Sequence, residues 1–317
     1  ANQINSRGLI NKKNSHKSAA SEKSAFYSSP VIWVSLLFLV YPGFNQQFVA
    51  VNTSRHLFPL ITFFLSLGYM VLAVRHKDRY WRWTTFSLVL SLITMFTTEY
   101  YYGLEFIRPV ILWIVLREND KIKWSDLVKA AKAWLPYLFP LVGVFIWRFV
   151  VSQSVNYQIT IFEDVSSPIN RNLGQWIWGY LNDLLSSGLG AWFISFEPLD
   201  PALFGARSRL YFWGIVSIST IGMLIYLVFS QSESQDSHWK RDALLLAAAA
   251  LLTGPIPFWV TGLDPKLTFP ADRLNLPMML GASIIMVVLL ETFFKRAGIK
   301  ILIIALLIGM AAGFHNQ

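Results

Sequence analysis

Apolar and aromatic residues fill nine stretches of the chain, roughly 31–51, 56–74, 84–97, 100–116, 135–151, 209–230, 243–260, 274–293 and 299–314. Basic residues crowd four of the connections between them, at 75–83, 117–134, 231–242 and 294–298. Apolar runs of this length predict membrane-crossing helices, since about 20 residues span a ~30 Å hydrocarbon layer. Clustered Lys and Arg mark the cytoplasmic face. The four basic connections are therefore expected inside, and 52–55, 152–208 and 261–273 outside. Alternation then puts the N-terminus inside and the C-terminus outside. The predicted fold is all-α, a polytopic transmembrane bundle of about nine spans over residues 31–317. Residues 1–30 are rich in Ser, Asn and Lys and hold no apolar run of the kind a signal peptide needs. They are expected to be a disordered cytoplasmic extension.

The stretch Thr84–Leu116 departs from a plain span, because Glu99, Glu105 and Arg108 sit in its middle and both flanks are basic. One continuous helix would set its ends about 50 Å apart, with one basic flank outside. A hairpin of two short arms is predicted instead, its apex sunk below the outer surface. Ionisable groups at that depth need a protein-lined or water-filled cavity. Glu105 and Arg108 share a helix face and can neutralise each other, or Arg108 can contact a substrate. Glu99 has no cation three or four residues away, which makes it a functional candidate.

Two further segments have amphipathic spacing. Residues 124–134, with Ser125 as N-cap, predict a basic helix on the inner surface. Residues 173–188 align Ile177, Tyr180, Leu181, Leu184 and Leu185 against Asn182, Asp183 and Ser186, which predicts a helix on the outer interface. Pro42–Gly43 and the run at 253–257 predict helix breaks.

Hydrophobic residues make up 54% of the chain and charged residues 14%, which excludes a soluble domain. Of the 27 Lys and Arg, 19 fall on the predicted inner side and 8 outside, while the 18 acids divide 9 and 9. The net charge of +9 is thus an inside bias and not a nucleic-acid surface. There is no cysteine, which removes disulfides, thiol chemistry and Cys metal sites. His16, His56, His76, His238 and His315 show no metal-ligand spacing, and no cofactor motif is present. The pattern suits a bacterial plasma membrane. Because the chain opens on Ala and closes directly after an apolar run, a fragment is expected.

Three segments resemble polyprenyl-phosphate-sugar-dependent glycosyltransferases of the GT-C class. The run at 36–51 is similar to their apolar span ending in a Pro-containing turn. Residues 97–113 resemble a later pair of short helices carrying an acidic motif. Residues 269–290 resemble a late segment in which an outer Arg precedes a Pro-containing span. The resemblance implies a GT-C-like bundle with broken helices that works on the outer face with an isoprenoid-phosphate sugar donor.

In that chemistry a carboxylate activates the acceptor, and cations stabilise the departing phosphate. For that chemistry the residues themselves offer Glu99 as candidate catalytic carboxylate, with Arg108, Arg273, Lys266, Glu105 and Arg55 as candidate substrate or phosphate contacts. Arg171, Arg207 and Arg209 are further outer cations. Asp272 is expected to pair with Arg273 or Lys266, Arg148 to snorkel to the outer interface, and Glu291 to meet Lys295. Two departures stand out. The family's catalytic Asp lies in a first outer loop with no counterpart here, and Thr98 stands where the family often has Lys. A non-catalytic remnant that binds lipid phosphate without transferring sugar is therefore one expectation. A transporter or flippase, or a non-enzymatic scaffold, is the alternative, although no internal repeat supports a transporter.

Overall fold

The computed structural model describes residues 30–46, 50–117, 123–154, 173–197, 205–229, 239–260, 263 and 265–316. The predicted N-terminal extension over 1–30, apart from Pro30, and the candidate Arg171 lie outside the described residues. Among these residues the structure is helical, with no strand. We label the main helices α1 (Pro30–Leu39), α2 (Ala50–Arg75), α3 (Tyr80–Thr97), α4 (Ile107–Leu116), α5 (Trp124–Ser154), α6 (Leu173–Leu185), α7 (Ala206–Phe229), α8 (Trp239–Thr253), α9 (Met279–Phe293) and α10 (Ala297–Phe314).

Six helical segments among the described residues are long and apolar enough to cross a membrane: Ser54–Arg75, Trp124–Arg148, Ala206–Phe229, Trp239–Val260, Ala271–Phe293 and Ala297–Phe314. The chain is therefore an integral, multi-pass membrane protein in contact with lipid. The other three predicted spans take different forms. The stretch at 31–51 is interrupted after Leu39 by a turn at Pro42–Gly43, leaving a ten-residue α1 of about 15 Å. The two arms of the predicted hairpin are α3, whose first turn holds Tyr80, Trp81 and Arg82, and the ten-residue α4.

Helix α5 corrects the reading of 124–134 as a separate surface helix. It runs unbroken over 31 residues, from Trp124 through Pro136 and Pro140 to Ser154. Ser125 lies inside its first turn and does not cap it.

The chain divides into two units. The smaller comprises Ala1–Val40, Pro198–Trp239 and Leu289–Gln317. In it α7 and α10 pack closely at two glycines. A Cβ on Gly309 would lie 2.9 Å from the Val216 carbonyl oxygen, and one on Gly313 would lie 2.5 Å from a Val216 methyl. His315 Nε2 is 3.2 Å from the Val40 carbonyl. Glu291 is paired with Lys300 at 2.7 Å and not with Lys295. The i, i+4 geometry needs one helix, and α9 ends at Phe293.

The larger unit, Tyr41–Glu197 and Lys240–Val288, holds the hairpin. Helices α2 and α3 approach through small polar residues, as helices do in lipid. Ser66 Oγ donates to the Ser87 carbonyl and Ser87 Oγ to the Ser66 carbonyl, each at 2.6 Å, and the Thr62 and Thr94 hydroxyls meet at 2.8 Å. At one end of this unit Arg117 forms a two-point pair with Asp242. At the other end the start of α2, the hairpin apex, the end of α8 and the 265–278 segment meet. Residues 117 and 242 therefore share one side, and residues 56, 101, 252 and 272 share the other. Labelling of single cysteines introduced into this cysteine-free chain should show Ser125→Cys and Lys240→Cys reacting from one side and Thr268→Cys from the opposite side. Modification of Ser125→Cys and Thr268→Cys by the same impermeant reagent would refute that grouping.

Candidate functional site

Four stretches of non-α-helical backbone converge in the larger unit. The first is the turn at 40–46, where Pro42 supplies no backbone N–H. The second is the hairpin apex, built from two 3₁₀ turns, Glu99–Tyr101 and Gly103–Phe106. Thr98 ends α3 in extended backbone and caps the first turn, its hydroxyl accepting from the Tyr100 N–H at 3.4 Å. The third is the break after Thr253, and the fourth is the 3₁₀ segment Ala271–Met278.

Side chains tie these stretches together. Asp272 is fully buried and accepts from the Asn45 backbone N–H at 2.7 Å and from Gln46 Nε2. It pairs with neither Arg273 nor Lys266, a correction of the expected ion pair. Amide donors from the 40–46 turn satisfy the carboxylate without a cation. Asn275, also buried, accepts from Ser187 Oγ at 2.6 Å and donates to the Gly43 and Lys266 carbonyls at 3.0 and 2.7 Å. Tyr41 donates to the Ser187 carbonyl at 2.5 Å and meets Trp192 edge-on. At the apex, Gly103 admits no side chain: a Cβ there would lie 1.9 Å from the Thr253 carbonyl oxygen.

The three apex tyrosines are each held by a different contact, two of them to His56. Tyr100 stacks on the His56 ring at 5.0 Å and meets Phe258 edge-on at 5.1 Å. Tyr101 donates to the His56 carbonyl at 2.9 Å, and Tyr102 to the Met95 carbonyl at 2.8 Å. Around them the charges divide into two groups.

The first group is Glu105 and Arg108, both turned into the bundle. Arg108 is 0% exposed and joins Glu105 through two contacts, one of them Nη2 to Oε1 at 2.9 Å. Its guanidinium also donates to Ser66 Oγ at 2.9 Å and lies over the Phe63 and Tyr137 rings. Ser91 donates to Glu105 at 3.2 Å. The pair is enclosed and satisfied, so in this arrangement neither residue presents a free group to a ligand. Glu99 and Arg108 do not face one outward cavity together, because the chain turns twice between them.

The second group is Glu99, Arg148, Arg55 and Arg273. Glu99 is salt-bridged to Arg148, with side chains 40% and 51% exposed. Arg148 therefore supplies the cation that local spacing does not offer Glu99. An exposed pair of this kind contributes on the order of 0.2–1 kcal/mol. Arg273 and Arg55 both act electrostatically on His56 and Tyr100. Arg273 Nε and His56 Nδ1 are each buried without a hydrogen-bond partner. Buried donors and acceptors are normally satisfied by protein, water or ligand, so these two atoms, within electrostatic reach of each other, hold hydrogen-bonding capacity that the described residues do not fill. Lys266 is exposed nearby, while Arg207 and Arg209 are exposed at the start of α7 in the smaller unit. Among the described residues no three His, Asp or Glu converge as metal ligands.

Helix α6 follows the predicted amphipathic pattern, with one difference in how it is seated. Ile177, Trp178, Leu181 and Leu185 are exposed, whereas Asp183 accepts from Trp259 Nε1 at 3.1 Å and Tyr180 donates to the Leu252 carbonyl at 2.9 Å. Burial raises the Tyr180 phenol above its ordinary range, so it stays a donor. His56 was not legible as a site residue. Its signal, a lone His among apolar residues, is shared with many ordinary core histidines.

Compared with known protein families, curated proteins and solved structures, the chain matches none.

Proposed function

We propose that this membrane protein binds an isoprenoid phosphate, the carrier of a lipid-linked sugar, on the outer face, and that its bundle is the GT-C-like one its sequence resembles. In this reading the α3–α4 hairpin and the broken α1 complete the six long helices to about nine membrane passages. The observation that carries it is Arg273. Its guanidinium has a buried, unpartnered Nε beside a second cation, Arg55, at a junction of irregular backbone. Irregular backbone is tolerated at membrane depth where it lines a site. A phosphate oxygen satisfies such a donor strongly, because the hydrogen bond is charged at both ends. Glu99 is the one apex carboxylate with access to solvent, and it is the residue available to take a proton from an acceptor.

Binding and turnover separate the readings. Purified protein should bind polyprenyl phosphate, and Arg273→Gln should weaken that binding about tenfold, the effect of losing one charged hydrogen bond. Transfer of a radiolabelled sugar from the lipid phosphate to an acceptor, abolished in Glu99→Gln, would identify an active transferase. Binding without transfer would identify a non-catalytic relative. Absence of binding in the intact protein would exclude both. The convergent helix breaks also suit a transporter, for which movement of the lipid phosphate across reconstituted vesicles is the decisive measurement.

A further inference from the structure

The Glu99–Arg148 pair has a feature that a purely structural contact does not need: it stands beside a junction with buried, unpartnered polar atoms. Glu99 opens the apex turn, and the next residue, Tyr100, stacks on the His56 ring at 5.0 Å. His56 Nδ1 and Arg273 Nε are buried there without a hydrogen-bond partner, and Arg55 directly precedes His56 in the chain. A phosphate anion can accept from Arg273 and from Arg148 through hydrogen bonds charged at both ends. Glu105, the other apex carboxylate, cannot contribute, since Arg108 and Ser91 already enclose it.

We infer that Glu99 is an internal stand-in for the phosphate: it occupies Arg148 in the ligand-free protein and gives it up when an anionic headgroup arrives. This rests on the lipid-phosphate reading above and adds a second phosphate ligand, Arg148. Both partners are about half exposed, so the exchange requires no opening of the core.

The exchange makes Glu99 and Arg148 energetically dependent on each other, and a double-mutant cycle measures that dependence. Farnesyl phosphate, inorganic phosphate and farnesol are titrated against the full chain in nanodiscs of neutral lipid. Preference for farnesyl phosphate over inorganic phosphate identifies a lipid headgroup, comparable affinity identifies free phosphate, and the cycle is read with whichever binds. Arg148→Gln should loosen binding about tenfold. Glu99→Gln should tighten it roughly two- to fivefold, because a weak internal competitor has gone. In the Arg148→Gln background, Glu99→Gln should change affinity by less than about twofold. Equal tightening with and without Arg148 would show only a general field effect and overturn the exchange, as would loosening by Glu99→Gln alone. If the unmodified protein binds neither phosphate, the lipid-phosphate reading fails and the exchange with it. If it binds and Arg148→Gln has no effect, only the exchange fails.

Discussion

Arg108→Met should destabilise the protein by about 3–5 kcal/mol, the range for breaking one side of a buried ion pair. Arg108 is wholly enclosed, and its loss leaves Glu105 in the bundle with the Ser91 hydroxyl as its remaining side-chain donor. Ser66 loses its contact with the guanidinium, although its hydroxyl retains the Ser87 carbonyl. The double variant Glu105→Leu, Arg108→Met removes both charges and should recover most of the loss, since a buried pair replaced by apolar residues of similar volume is often neutral or better. Thermal unfolding in detergent measures both. A single variant as stable as the parent would mean that water reaches Glu105, against the enclosure seen here. Should the single variant fail to accumulate, the double variant still provides the test.

The second large effect is expected at the apex. Gly103→Ala should lift the hairpin off the break after α8 and disable the site. An added Cβ would lie 1.9 Å from the Thr253 carbonyl oxygen and 2.9 Å from that of Gly254. Both obstacles are backbone, and Gly254 has little room to retreat, because its own position for a Cβ is 2.7 Å from the Ala250 carbonyl and 3.1 Å from that of Pro277. Overpacking of a well-packed core costs about 1–3 kcal/mol, and a rigid backbone obstacle puts this case at the upper end or beyond. The Tyr100 contacts with His56 and Phe258 would loosen with the displacement, so phosphate-lipid affinity should fall together with the melting temperature. Gly68→Ala is the control. It lies in α2 with no atom within 4 Å of an added Cβ, and it should leave stability unchanged or raise it by up to about 1 kcal/mol. Matching losses in the two variants would point to helix propensity and not to the junction.

What could be read from residue order and what could not follow from the range of the forces involved. Hydropathy acts over a whole helix, so the positions of the six long helices were legible. Pro42 and Gly43 act on their own backbone, and the break after α1 was legible too. Pairings formed by folding were not. Glu99 looked unpartnered because helical spacing shows only near neighbours, whereas Arg148 arrives on α5. Adjacency suggests the neighbouring guanidinium for Asp272, but backbone direction turns it toward Asn45 and Gln46. The charge pattern of α5 changes near Trp134 and suggests two helices, but side chains carry that change and the backbone ladder ignores it. Helical spacing showed that Glu105 and Arg108 could pair, as they do. It gave no indication that the pair is enclosed or that His56 lies within electrostatic reach of Arg273.

The Asp272 clamp bears on how the protein is made. The carboxylate that satisfies the Asn45 N–H and the Gln46 amide lies 226 residues beyond Gln46 in the chain. At about 5–20 residues per second, ribosomes need roughly 10–45 s to reach it after the turn has emerged. Throughout that interval the polar groups of the 40–46 turn lack their final acceptor, and they must stay near water or be sheltered by the insertion machinery. A ribosome stalled before Asp272 should therefore leave the 40–46 turn open to protease or to a cysteine reagent while α2 and α3 are already inserted.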